Sequence, residues 1–273
     1  MSDSILVGVG QFAPGADSQE NLDQIEALAE RASRRGARVV VFPEYASYFE
    51  KNLGPAFVAA AQALDGPFVT GLGRLAERLG IFVVAGLVES TGTERFSNTL
   101  VALGPTGELV ATYRKLHLYD AFGQTESDWV VPGVVEPPQI FDVDGFSVGL
   151  QTCYDVRFPE VSRMLVDAGA EILLLPAEWV RGPLKEHHWR TLVTARALEN
   201  TIYIAAADHA PPVGVGNSLV VDPAGVVVAG LGDEASGVAV AEVRRDRLEA
   251  VREQNPALRL RRFRVVEGRP SAV

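Results

Sequence analysis

The second half of the chain replays the first. Gly36-Ala-Arg-Val-Val-Val-Phe-Pro-Glu44 is echoed by Gly169-Ala-Glu-Ile-Leu-Leu-Leu-Pro-Ala177. Ile81-Phe-Val-Val-Ala-Gly86 is echoed by Ile202-Tyr-Ile-Ala-Ala-Ala207, and Asn98-Thr-Leu-Val by Asn217-Ser-Leu-Val. Chance gives one such match among apolar strands; three in the same order point to duplicated structure. Between the echoes, Ile5–Val9, Val39–Phe42, Ile81–Gly86, Thr99–Leu103 and Leu109–Thr112 read as strands. Leu22, Ile25, Leu28, Ala29 and Ala32 fall at helical spacing ahead of Gly36, and 69–80 reads as a second helix ending in glycine. Pro-x-Gly turns join the later paired runs as hairpins. Two such halves predict an α/β fold: a four-layer αββα sandwich with an internal pseudo-twofold repeat, its sheets packed face to face under outer helices. No linker separates the halves, so residues 1–273 read as a single domain, with 256–273 as a C-terminal arm.

Charge and cysteine usage narrow the setting. A net charge of -10 argues against nucleic acid, whose phosphates would repel the chain. One cysteine excludes an internal disulfide and suits a reducing compartment. The start, Met-Ser-Asp-Ser, lacks the basic opening of a signal peptide. No apolar run reaches the ~18 residues of a membrane helix. The expectation is a cytoplasmic protein with no membrane partner.

Three ionisable residues stand where a buried strand would not want them. Cys153 ends the apolar run that begins at Phe146. A thiol there is either inert filler or a nucleophile. Glu44 follows Val-Val-Val-Phe-Pro and could be a salt-bridge partner or a general base. Lys115 follows a hairpin and could be an exposed edge lysine or a fixed charge facing an oxyanion. If loops at matching ends of the halves converge, the three share one cleft.

Phe-Pro-Glu44, Tyr-Arg-Lys115-Leu-His-Leu-Tyr-Asp120 and Thr-Cys153-Tyr-Asp-Val-Arg157-Phe-Pro-Glu160 resemble the signature segments of the nitrilase superfamily of carbon–nitrogen hydrolases. Glu126 falls where that family places a second glutamate, and the likeness spans nearly the whole chain in order. The resemblance implies an αββα sandwich and a cysteine mechanism. Glu44 would take the Cys153 proton, and the thiolate would attack an amide carbonyl. Lys115 and the backbone N–H of Tyr154 would hold the oxyanion, and Glu126 would orient Lys115. The segments are most similar to the ω-amidase and deaminated glutathione amidase branch, which implies a small, carboxylate-bearing amide hydrolysed to ammonia through an acyl-thioester. An N-carbamoyl amino acid amidohydrolase is the alternative, followed by a nitrilase or a catalytically silent binding member.

Within that resemblance Arg157 is the candidate for a substrate carboxylate, unless it pairs with a buried acid such as Asp155. Tyr48 and Trp179, with Tyr45, could wall the pocket or simply fill core. No metal or organic cofactor is expected: the adjacent His187 and His188 lack the spacing of ligands on one helix face. Gly214-Val-Gly is no dinucleotide loop, because a strand and hairpin follow it. The tail from Leu258 to Val266 alternates apolar and basic residues. It suggests an arm across a subunit interface in a homodimer or larger homo-oligomer.

Overall fold

The structure, a computed structural model, describes residues 3–268 and builds two six-stranded sheets. The order is β1 (Ser4–Gln11), α1 (Ser18–Ser33), β2 (Ala37–Val41), α2 (Pro55–Ala60), α3 (Pro67–Leu79), β3 (Phe82–Ser90), β4 (Phe96–Leu103) and β5 (Leu109–Arg114). Then come β6 (Ile140–Val143), β7 (Phe146–Leu150), α4 (Pro159–Asp167), β8 (Ile172–Ala177), α5 (Lys185–Asn200), β9 (Tyr203–Asp208), β10 (Leu219–Val221), β11 (Val227–Gly230), β12 (Gly237–Arg244) and α6 (Arg245–Gln254). One sheet runs β12-β1-β2-β3-β4-β5, the other β6-β7-β8-β9-β10-β11. Each has three parallel strands at its centre, an antiparallel strand on one flank and an antiparallel pair on the other. The three echoed segments are β2 and β8, β3 and β9, β4 and β10, at equivalent places in the two sheets.

Side-chain alternation sorts the apolar runs into layers. Val39 and Val41 of β2 meet Ile172 and Leu174 of β8 in the core between the sheets. Val40 points the other way, onto Ile25 and Leu28 of α1 and Leu72 of α3. Leu173 and Leu175 likewise face Leu165 of α4 and Val193 of α5. Strands buried on both faces carry no polar alternation, which is why they read as unbroken apolar runs. Each such side chain contributes about 1.5–3 kcal/mol by leaving water. A charge at Val39, wholly enclosed between the sheets, would meet no partner.

Local signals start and stop the helices where the sequence suggests. The Asp17 carboxylate caps α1, accepting from the amides of Gln19 and Glu20 at 2.8 and 3.0 Å. Gly80 ends α3 in the left-handed conformation (φ 63°) that a side chain would strain. After α6 the chain returns over the second sheet's helices. Leu258 packs on their cluster and Arg261 pairs with Asp167 of α4. In the same segment Leu260, Phe263 and Val266 are exposed. Residues 269–273 of the expected arm lie outside the described residues. No helix among the described residues is long and apolar enough to cross a membrane.

Candidate active site

The strand ends collect the ionisable residues. Glu44 follows β2, Lys115 follows β5, Cys153 follows β7 and Glu178 follows β8. β5 runs in the direction of β3 after two antiparallel reversals, so Lys115 arrives at the same edge as Glu44. Crevices beyond the carboxyl ends of parallel strands are where α/β sheets hold ligands. Here a cavity of about 400 Å³ is lined by Glu44, Tyr119, Lys115, Glu126, Cys153 and Glu178, among others. The structure thus brings together the three residues singled out from strand ends, with Glu126 beside them.

Lys115 Nζ donates to Glu44 Oε1 at 2.9 Å and to Glu126 Oε1 at 3.0 Å. All three side chains are almost completely buried. Burial alone would lower the lysine's pKa, but the Glu126 and Glu44 carboxylates hold it well above the usual range. The balance is intelligible: opposite charges about 3 Å apart attract by on the order of 5 kcal/mol at an effective dielectric near 20, and two such partners offset a desolvation cost of several kcal/mol. Asn98 Nδ2 donates to Glu44 Oε1 at 2.6 Å and to Glu126 Oε1 at 3.2 Å, and the Tyr45 hydroxyl donates to Glu126 Oε1 at 2.5 Å. The Tyr119 amide takes Glu126 Oε2 at 2.6 Å. Both carboxylates are held on several sides.

The turn that carries Glu44 lies directly on β3. A Cβ at Gly86 would fall 2.4 Å from Tyr45 N and 2.7 Å from Glu44 Cα, so only glycine lets the two backbones approach. Tyr45 itself takes a positive φ of 54°. His209 Nε2 lies 2.6 Å from the Glu44 carbonyl oxygen. A carbonyl only accepts, so Nε2 carries the proton. Burial lowers this histidine to about 4, which keeps the ring neutral.

Cys153 opens a short 3-10 turn, 153–157, with a positive φ of 46°. A non-glycine residue held there stores of order 1–3 kcal/mol of strain, a feature that recurs where nucleophiles are presented. The leading amides of such a turn, Tyr154 N–H included, have no acceptor within it. The thiol donates to the Glu178 carbonyl at 3.5 Å, and the Glu44 carboxylate lines the same cavity. Burial pushes the thiol's pKa well up, with Glu44 adding to the effect and Lys115 opposing it. At neutral pH the sulfur therefore keeps its proton and needs a base.

The remaining candidates sit behind or beside the cavity walls. Tyr48 belongs to an aromatic cluster with Tyr45, Phe49 and Phe57. Trp179 is buried against Trp189, and the Tyr154 ring packs on Tyr119. Asp155 is occupied by Tyr113 Oη at 2.7 Å and His117 Nδ1 at 2.8 Å, so it does not pair with Arg157. The Arg157 guanidinium lies 4.9 Å from the Trp179 ring centre, and its Nε and Nη2 are buried with no hydrogen-bond partner. Lys185 shares this nest, donating to Tyr119 Oη at 2.7 Å. His187 and His188 lie in the first turn of α5.

A carbon–nitrogen hydrolase family profile matches residues 6–253. The chain belongs to the carbon–nitrogen hydrolase family. It is 41% identical over 259 residues to a deaminated glutathione amidase of Escherichia coli O157:H7, covering 95% of this chain and 98% of that one. It is 35% identical to the rat protein of that name, covering 94% and 82%. The amidase of Nesterenkonia AN1, a nitrilase-superfamily member, superposes with a TM-score of 0.79 at 30% identity, over 95% of this chain and 97% of its own. The hydrolase fold is therefore that of the nitrilase superfamily.

Three residues of this centre carried no assignment from the sequence, Asn98, His209 and Glu178, while Tyr45, read there as a pocket wall, lines the cavity and also holds Glu126. Asn98 was visible as a polar residue opening a buried strand and one of the echoes. Glu178 was visible in the way Glu44 was, as an acid closing an apolar run. Nothing local marks His209, because its partner, the Glu44 carbonyl, comes from a distant strand end.

Proposed function

We propose that this hydrolase is a cysteine-dependent amidase acting on small, carboxylate-bearing amides. The observation that carries the proposal is the Lys115 ammonium clasped by Glu44 and Glu126 in the cavity that contains Cys153. Glu44 takes the thiol proton while sulfur bonds to the amide carbonyl carbon. Lys115, which keeps its proton throughout, and Tyr154 N–H receive the developing oxyanion. The C–N bond then breaks, and Glu44 returns its proton to the leaving nitrogen, releasing ammonia. Glu44 next deprotonates water, whose oxygen attacks the thioester; the C–S bond breaks, and the thiolate regains a proton as the acid leaves. With an ammonium and an amide at the oxyanion, these steps require no metal or organic cofactor.

Arg157 supports the carboxylate part of this reading. Its buried, unpaired Nε and Nη2 are suited to a bidentate carboxylate. The relatives named deaminated glutathione amidase support it as well. A glutamate variant of the Nesterenkonia amidase, 31% identical to this chain, carries acrylamide added to its active-site cysteine, which supports a nucleophilic Cys153. The test is brief exposure to succinamic acid followed by intact-mass measurement. A succinyl mass on the wild-type thiol and ammonia in solution are expected, with neither from Cys153→Ala. Ammonia without any adduct on rapid quenching would overturn the thioester route, and carbon dioxide from an N-carbamoyl amino acid turned over faster would shift the substrate class.

We also infer a cytoplasmic homodimer or larger homo-oligomer in which the segment after Asn255 reaches a second subunit. Leu260, Phe263 and Val266, exposed by 67%, 88% and 80%, support this, since large apolar side chains projected into water gain by being covered. Truncation after Asn255 should lower the mass seen by light scattering; an unchanged mass would end the idea.

A further inference from the structure

A carboxyl group that the mechanism leaves idle lines the cavity beside the thiol. Glu178 uses its backbone on the catalytic centre: its amide donates to Glu44 Oε2 at 2.7 Å and its carbonyl accepts from Cys153. Its side chain is partly exposed to the cavity, and no hydrogen bond or ion pair among the described residues ends on its carboxyl oxygens. Its neighbour Trp179 turns away into the core, with its amide on Asp208 Oδ1 at 2.6 Å and its indole on the Lys185 carbonyl at 3.0 Å. Of these two neighbours, the 178 side chain is the one that lines the cavity.

Charge counting decides its protonation. Glu44 and Glu126 already share Lys115, so a further ionised carboxylate would be repelled. Burial pushes Glu178 well above the usual carboxylate range, Glu44 and Asp208 push further, and Lys115 opposes them. The groups around it are Glu44 after β2, Lys115 after β5, Cys153 after β7, Asp208 at the end of β9, Glu126 from its turn, Tyr119 and Lys185 of α5, with Glu50, Lys51 and Arg181 lining the same cavity. An acid that keeps its proton in such a place is a hydrogen-bond donor.

We infer that Glu178 is a further specificity-determining residue, whose carboxyl group touches the bound substrate and donates a hydrogen bond to an oxygen on it. This rests on the amidase reading and deepens it. The wall then favours amides bearing a carboxylate or carbonyl oxygen over amides bearing an ammonium, which would need an ionised partner there.

The experiment compares Glu178→Ala and Glu178→Gln in the full chain, with succinamic acid and β-alaninamide as substrates. Loss of one donor should raise the succinamic acid KM about tenfold in the alanine variant, with kcat little changed. Glutamine still donates, so its KM should stay within about threefold of wild type. The wild-type KM should also climb at alkaline pH as the acid ionises, while that of Glu178→Gln stays flat. Neither variant should gain activity on β-alaninamide. Succinate binding to the Cys153→Ala protein, followed by calorimetry, should weaken about tenfold when Glu178→Ala is added. The inference is overturned if alanine leaves KM and succinate affinity unchanged, if glutamine is as damaging as alanine, if only kcat falls, or if succinate does not bind. Absence of any acyl-enzyme in the wild type would instead sink the amidase reading, and the calorimetry would still judge Glu178.

Discussion

Lys115 and Glu44 form a 2.9 Å ion pair with side chains only 2% and 1% exposed. The cation is shared with Glu126, so the proposed base and the proposed partner of the oxyanion are parts of one charge cluster.

Removing the cation should therefore damage folding as well as catalysis. Lys115→Met leaves two buried carboxylates without their counter-charge, a change expected to cost about 3–5 kcal/mol. Urea titration beside an ammonia assay checks this. Cys153→Ala, which removes only a small buried thiol, should lose activity while costing about 1 kcal/mol.

Gly86→Ala should act on Glu44 without touching substrate. The added methyl meets backbone atoms of Glu44 and Tyr45, which cannot rotate aside. Displacing the base by even ~1 Å should lower kcat on the order of 10²-fold. Steady-state kinetics on the folded variant is the check, and a kcat near wild type would refute the close-approach account.

His209 should give the protein an acid-sensitive stability. In the unfolded chain it takes a proton below pH 6.5, whereas the folded ring resists until about 4. Its contribution is complete above pH 6.5 and drains away as pH falls toward about 4. Over that window the loss amounts to about 3 kcal/mol. Urea titrations at pH 7 and pH 4.5 should show the fall in the wild type and less of it in His209→Gln.

Arg157→Leu should separate charged from uncharged substrates. The KM for succinamic acid should rise about tenfold or more, while that for propionamide stays near wild type, because only the first offers a carboxylate to the guanidinium. Equal losses on both amides would assign Arg157 to structure.

Most of the frame was legible because its signals are local. The doubled strand pattern gave both sheets their central strands, and the Leu22-to-Ala32 spacing and Gly80 marked α1 and the end of α3. Glu44, Lys115 and Cys153 stood out because each interrupts apolar sequence. What the sequence left open depends on partners brought from afar. Tyr45 finds Glu126 and His209 finds the Glu44 carbonyl only after the sheets have packed. Sequence could not tell whether Arg157 pairs with Asp155, which is instead occupied by Tyr113 and His117.

The main chain at position 178 holds the carboxylate of Glu44 on one side and the sulfur of Cys153 on the other. Those two bonds belong to the peptide groups, so every amino acid except proline can supply them. Selectivity at this wall can therefore drift, or be rewritten by a saturation library, while the bond-breaking machinery stays in register.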